Sequence, residues 1–112
     1  MNHTDPFFPH YPVLYHETLH WIQPKDEGLY VDGTVGAGGH SWGILTGSSP
    51  RGKLLGLDLD PIALQLASRR LAEFGNRVEL VHASYHTIPD QLTRIGWRWA
   101  DAILLDLGGS SM

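Results

Sequence analysis

Residues 30–41 read Tyr30-Val-Asp-Gly-Thr-Val-Gly-Ala-Gly-Gly-His-Ser41. With Leu29 in front, Tyr30 and Val31 predict a short buried strand, because aromatic and β-branched side chains suit a covered, pleated surface. Gly36, Gly38 and Gly39 then permit a turn with backbone angles that other residues avoid, and let a ligand approach bare backbone. From His40 to Thr46 a helical pattern resumes. The order strand, glycine turn, helix leaves a helix N-terminus, with its unpaired N–H groups, at the carboxyl end of a strand. Small cofactors bind at such places.

Working outward, the same alternation continues. Val13 to Ile22 predicts a short helix before this stretch, with a loop at Pro24–Gly28. After it, Gly47–Gly52 is a turn, and Lys53-Leu-Leu-Gly-Leu57 is a second apolar strand ending in Asp58. Asp60-Pro61 opens a helix, since Asp caps free N–H groups and Pro suits the first helical position. That helix is expected to run to about Phe74, burying Ala63, Ala67, Leu71 and Phe74, with Arg69 and Arg70 near its end and Gly75-Asn76 as the stop. Arg77–His82 is a third strand, Ile88–Ile95 a helix capped by Thr87, and Asp101–Asp106 a fourth strand. Strands alternating with helices imply βαβ units and a parallel sheet, so the fold class is α/β. Residues 1–12, with Pro6, Pro9 and Pro12, predict an irregular arm.

The chain has 112 residues, 42% hydrophobic and 18% charged, an ordinary globular composition for one domain. No run approaches the roughly 20 apolar residues of a membrane span, so no membrane partner is expected. The N-terminus lacks a signal-peptide pattern. Zero cysteines exclude disulfides and thiolate metal sites and fit a cytoplasmic setting. A net charge of −4 gives no broad basic face, so any nucleic-acid grip is local, around Arg69, Arg70, Arg94 and Arg98, or lies outside this chain. An apolar fourth strand of the buried type is a poor edge. The chain is therefore expected to be the front of a longer protein, inactive alone; the alternative is a small four-stranded domain that closes by itself.

The glycine turn departs from a dinucleotide fingerprint, which would place glycine where Ser41 stands. That disfavours a nicotinamide dehydrogenase. Asp58, at the end of the second strand, is placed to accept hydrogen bonds from ribose hydroxyls. Asp60 is the better helix cap, which leaves Asp58 free for a ligand. Asp106 falls on the same rim as Asp32 and Asp58, so three acids converge where open α/β sheets bind ligands.

His16 and His20, an i, i+4 pair without a third ligand, are expected on a helix surface, and no metal site is predicted. Trp97 and Trp99 are expected to pack against the sheet rather than stack on bases. Ser110 and Ser111 lack the setting of a nucleophile elbow.

The chain resembles the N-terminal part of the bacterial 16S ribosomal RNA cytosine-N4 methyltransferase family, the MraW/RsmH type. The likeness runs from His10-Tyr-Pro-Val-Leu14 and Glu17, through residues 30–41 and Leu57-Asp-Leu-Asp-Pro61, to Ile103-Leu-Leu-Asp-Leu-Gly-Gly-Ser-Ser111. Gly-Gly-His-Ser and Asp-Leu-Gly-x-Ser-Ser carry most of its specificity.

The resemblance implies a Rossmann-like sheet with flanking helices, of the class I S-adenosylmethionine-dependent methyltransferases. In it, residues 13–112 would form the front portion of the cofactor-binding domain. It also implies S-adenosylmethionine bound by Gly38, Gly39, His40, Asp58, Tyr85 and Asp106, and a small-ribosomal-subunit substrate methylated at a cytidine N4. Tyr85 replaces the usual phenylalanine, and Gly109 the usual valine. A positive sulfonium would favour the negative surround of Asp32 and Asp106. No residue is assigned as catalytic base. The competing expectation is a non-catalytic nucleoside-binding or interaction remnant of the same fold.

Overall fold

The computed structural model describes residues 15–106. The expected arm at 1–12, the helix start at Val13, Gly109 and the serines at 110 and 111 lie outside them. The chain runs through α1 (Tyr15–Ile22), β1 (Leu29–Asp32), α2 (Gly39–Gly47), β2 (Lys53–Asp58) and α3 (Pro61–Arg70). A 3-10 turn (Ala72–Arg77), β3 (Val78–His82), a second 3-10 turn (Tyr85–Thr87), α4 (Ile88–Ile95) and β4 (Ala102–Leu104) complete it.

The four strands form one parallel sheet in the order β3-β2-β1-β4. Tyr30 lies between Leu54 and Ala102, and Val31 between Leu55 and Ile103. Because strand side chains alternate, these neighbours serve two cores. Tyr30 and Leu54 join Ile44, Leu45, Ala67 and Leu71 under α2 and α3. Val31, Leu55 and Leu57 join Ile88 of α4, with Leu92, Ile95 and Trp97 packed alongside. A strand covered on both faces must be apolar throughout, which explains the Leu54–Leu57 run.

The start of α3 is built as its sequence predicts. Asp60 has extended backbone angles and its side chain accepts from the Ile62 N–H at 2.9 Å, with Pro61 at the first turn. Asp60→Ala is expected to lower stability by about 1 kcal/mol, read as a shift in urea midpoint at constant slope.

Other expectations are corrected. α3 ends at Arg70, and the chain tightens into the first 3-10 turn, which Gly75 breaks at φ 58°. Phe74 is buried from that turn, not from the helix, and Ala63 is only partly covered. Thr87 does not cap α4: its hydroxyl donates to the Ser84 carbonyl, while Ser84 Oγ accepts from the His86 N–H. The cap belongs to the 3-10 turn that precedes the helix. β4 is shorter than expected at both ends, and Asp101, just before it, docks onto the start of β1. Its carboxylate accepts from the Leu29 N–H at 2.8 Å and its own N–H donates to the Leu29 carbonyl.

Trp97 packs into the α4 core, whereas Trp99 is exposed. His16 and His20 lie on the exposed side of α1, and among the described residues no cluster suits a metal ion. No described helix is long and apolar enough to cross a membrane.

Candidate functional site

β1 ends at Asp32, and the chain is then pinned to both neighbouring strands. The Gly33 N–H donates to the Leu104 carbonyl and the Val35 N–H to the Leu57 carbonyl, each at 2.9 Å. Residues 33–35 therefore cross the carboxyl ends of the sheet. Gly36 (φ 54°) and Gly38 (φ 95°) then adopt left-handed angles that side chains resist. Gly38 also lies against Ala67 of α3, where an added Cβ would sit 3.4 Å from that residue. α2 begins at Gly39 with no side-chain cap, so its first-turn N–H groups remain available as donors.

The three acids of the rim have different jobs. Asp32 is 1% exposed; its Oδ2 accepts from Ser41 Oγ at 2.8 Å and its Oδ1 from the Thr34 N–H at 3.2 Å. Burial pushes its pKa up to about 6 against these two hydrogen bonds, and the charges of Asp58 and Asp106 push the same way. Asp58 Oδ2 accepts from the Gly36 N–H at 2.8 Å and Oδ1 from the Asp60 N–H at 2.9 Å. It holds the glycine turn to β2 and still has lone pairs to offer a ligand. The Asp106 N–H donates to Thr34 Oγ1 at 2.7 Å, which ties the segment after β4 to the same turn.

A cavity of about 360 Å³ opens at these strand ends, lined by Gly33, Thr34, Gly36, Asp58, Leu59, Ala83, Tyr85 and Asp106. It lies at the point where the chain, having built β2 and β3 on one side of β1, returns to place β4 on the other. Open α/β sheets bind ligands at that switch. Of the expected site residues, Asp58, Tyr85 and Asp106 line this cavity, and Gly38, Gly39 and His40 do not. Gly38 packs on α3, and Gly39 and His40 form the first turn of α2.

His40 is buried, with its ring 5.8 Å from that of Tyr15 in a stacked arrangement. Its Nε2 has no hydrogen-bond partner among the described residues. Burial pulls the pKa of His40 down, while the charge of Asp106 opposes this.

Sequence reasoning missed Gly33, Leu59 and Ala83 as lining residues. Each directly follows the last residue of a strand (Asp32, Asp58 and His82), and that position was the available signal.

A sequence model of the MraW methylase family matches residues 7–112. The chain belongs to this family. It is 50% identical over 105 residues to the ribosomal RNA small subunit methyltransferase H of Heliobacterium modesticaldum, covering 93% of this chain and 34% of that protein. The same-named protein of Symbiobacterium thermophilum is 47% identical over 104 residues, 93% of this chain and 33% of its own length. The chain thus spans about a third of the length of these family members. Among solved structures, an S-adenosylmethionine-dependent O-methyltransferase of Thermotoga maritima superimposes with a TM-score of 0.66 at 20% identity, over 88% of this chain and 36% of the other. At that identity the likeness is one of fold. What the two share is the Rossmann-like parallel sheet with flanking helices.

Proposed function

We propose that this chain carries the donor-binding part of an S-adenosylmethionine-dependent methyltransferase acting on the N4 amine of a cytidine in 16S ribosomal RNA of the small ribosomal subunit. The observation that supports it best is one cavity in which the acid ending β2, an aromatic after β3 and an acid after β4 meet beside the glycine turn. Its volume falls within the usual range for small-molecule sites. At Gly36 an added Cβ would meet only the Thr34 carbonyl, at 4.0 Å, so bare backbone faces open space. These features fit a nucleoside with a charged amino-acid tail.

When bound, the cofactor would supply an activated methyl group on a positive sulfur. Asp58 would accept from the ribose hydroxyls through its remaining lone pairs, and Tyr85 would pack its ring on the adenine. The first-turn N–H groups of α2, at Gly39 and His40 after Gly38, would hold the carboxylate end. Asp106 would orient the amine that receives the methyl group, which calls for an acceptor because that amine is a weak nucleophile. Much of the rate would then come from alignment of donor and acceptor.

Isothermal titration of the chain with S-adenosylmethionine is expected to show saturable one-to-one binding. Tyr85→Phe should leave affinity within about twofold, while Tyr85→Ala should weaken it about tenfold, the worth of one good ring contact. Absence of binding to the folded chain would overturn the proposal.

A further inference from the structure

Asp32 does not line the cavity, and holding Ser41 and Thr34 does not require a charge. An amide in the same place would accept from the Thr34 N–H and donate to Ser41 Oγ. A desolvated carboxylate is a costly substitute for such an amide. Its position suggests what the charge is for. Gly33 and Thr34, the two residues after it, line the cavity, and Asp58 and Asp106 face the same space from the ends of β2 and β4. Among the described residues, that lining contains two carboxylates and no lysine or arginine. On α2 the neighbouring groups are the neutral hydroxyl of Ser41 and His40, which burial favours in its uncharged form.

We propose that Asp32 reads the charge on the ligand's sulfur, so that the cavity holds a sulfonium nucleoside in preference to the neutral thioether nucleoside that methyl transfer leaves. This deepens the donor-binding reading above and rests on it. The two ligands differ by one methyl group and one positive charge. Asp58 on the ribose and Tyr85 on the adenine contact parts that the two ligands share, and the added charge is the difference that a carboxylate reads. A carboxylate held out of water attracts a cation more strongly than one in solvent. Discrimination of this kind favours departure of the spent ligand.

The geometry gives the sign of a pH dependence. Burial, assisted by the charges of Asp58 and Asp106, raises Asp32 to about 6. Below that pH the group is protonated and neutral to the ligand. Above it the carboxylate is ionised and attracts the sulfonium, and a bound cation helps to draw the proton off.

The test is calorimetric titration of the chain with S-adenosylmethionine and with S-adenosylhomocysteine, at about pH 5 and about pH 7.5 on either side of this titration. Both probes carry the same amino and carboxyl groups, so the titrations of those groups cancel in the ratio of affinities. The expected preference for the sulfonium is about tenfold at the higher pH, shrinking to about twofold at the lower. Asp32→Asn should bind both probes with the low-pH ratio at either pH. Ser41→Ala, which removes a hydrogen bond and keeps the charge, should retain the pH-dependent preference.

A wild-type ratio that stays constant across the two conditions overturns the inference whatever the variants do. So does an Asp32→Asn protein that keeps the wild-type ratio. Failure of the wild-type chain to bind either probe would remove the donor-binding reading itself.

Discussion

Asp58→Ala is expected to weaken S-adenosylmethionine binding by about 100-fold or more, equivalent to about 2.7 kcal/mol. Two losses combine. The first is an acceptor for the ribose, and a hydrogen bond to a charged group is worth about 1.5–3 kcal/mol. The second is the tie from Oδ2 to the Gly36 N–H, which sets the path of the glycine turn toward α2. Gly36 already sits at positive φ, so without that tie the turn has less reason to keep its shape.

The Asp60 N–H also loses its acceptor at Oδ1, and a fall in stability should accompany the loss of affinity. Asp58→Asn should fall between wild type and alanine, because its single acceptor oxygen must be shared between Gly36 and the ligand. Titration calorimetry and urea unfolding on the three proteins check both parts. Unchanged affinity in the alanine variant would exclude Asp58 from the donor site.

Asp32→Asn is expected to stabilise the chain at neutral pH. A carboxylate raised by burial from 3.8 to about 6 costs about 3 kcal/mol once ionised. The raised value means that the folded state holds the proton more tightly than the unfolded chain. Below about pH 4 both states are protonated and Asp32 costs nothing. Between about pH 4 and pH 6 the unfolded state ionises first, and stability falls as pH rises; above about pH 6 the penalty is constant.

The asparagine variant has no such titration. Its advantage should therefore grow from near zero at pH 4 to as much as about 3 kcal/mol above pH 7. Urea midpoints across this range measure the difference. An asparagine variant less stable than wild type at neutral pH would mean that Ser41 and Thr34 need the charge itself, against the burial argument. The same substitution is expected to cut the preference for a sulfonium ligand from about tenfold to about twofold, a trade of function for stability familiar at binding sites.

Much of the frame was legible because it follows local rules. Leu29–Val31 and Leu54–Leu57 are apolar in runs suited to strands covered on both sides, and Asp60-Pro61 announces α3 within two residues. The glycine turn and the acid after β2 were legible for the same reason. What escaped depends on contacts distant in sequence. Asp32 is hidden because Ser41, on the next helix, folds back onto it, whereas its sequence position suggests an acid at an open rim.

Capping at Thr87 failed because Ser84 starts the 3-10 turn that precedes α4. Trp97 and Trp99 share a sequence context and separate in burial, since only the first faces the α4 core. Of the six residues expected around the ligand, Asp58, Tyr85 and Asp106 line the cavity, and Gly33, Leu59 and Ala83, each next after a strand end, join them.

The placement of β4 has a consequence for how the cavity comes and goes. Leu29 with Asp101, and Thr34 with Asp106, are joined across 72 positions of chain. β4 itself pairs with β1 over three residues, while β2 pairs with β3 over five. Closing so long a loop forfeits chain entropy before any contact repays it. Among the described strands, the one leading to Asp106 has the shortest pairing, three residues against four and five, so β1, β2 and β3 can remain paired when it leaves. Asp106, which lines the cavity, thus follows the strand most lightly paired to its neighbour. Access to the cavity need not wait for the whole fold to open.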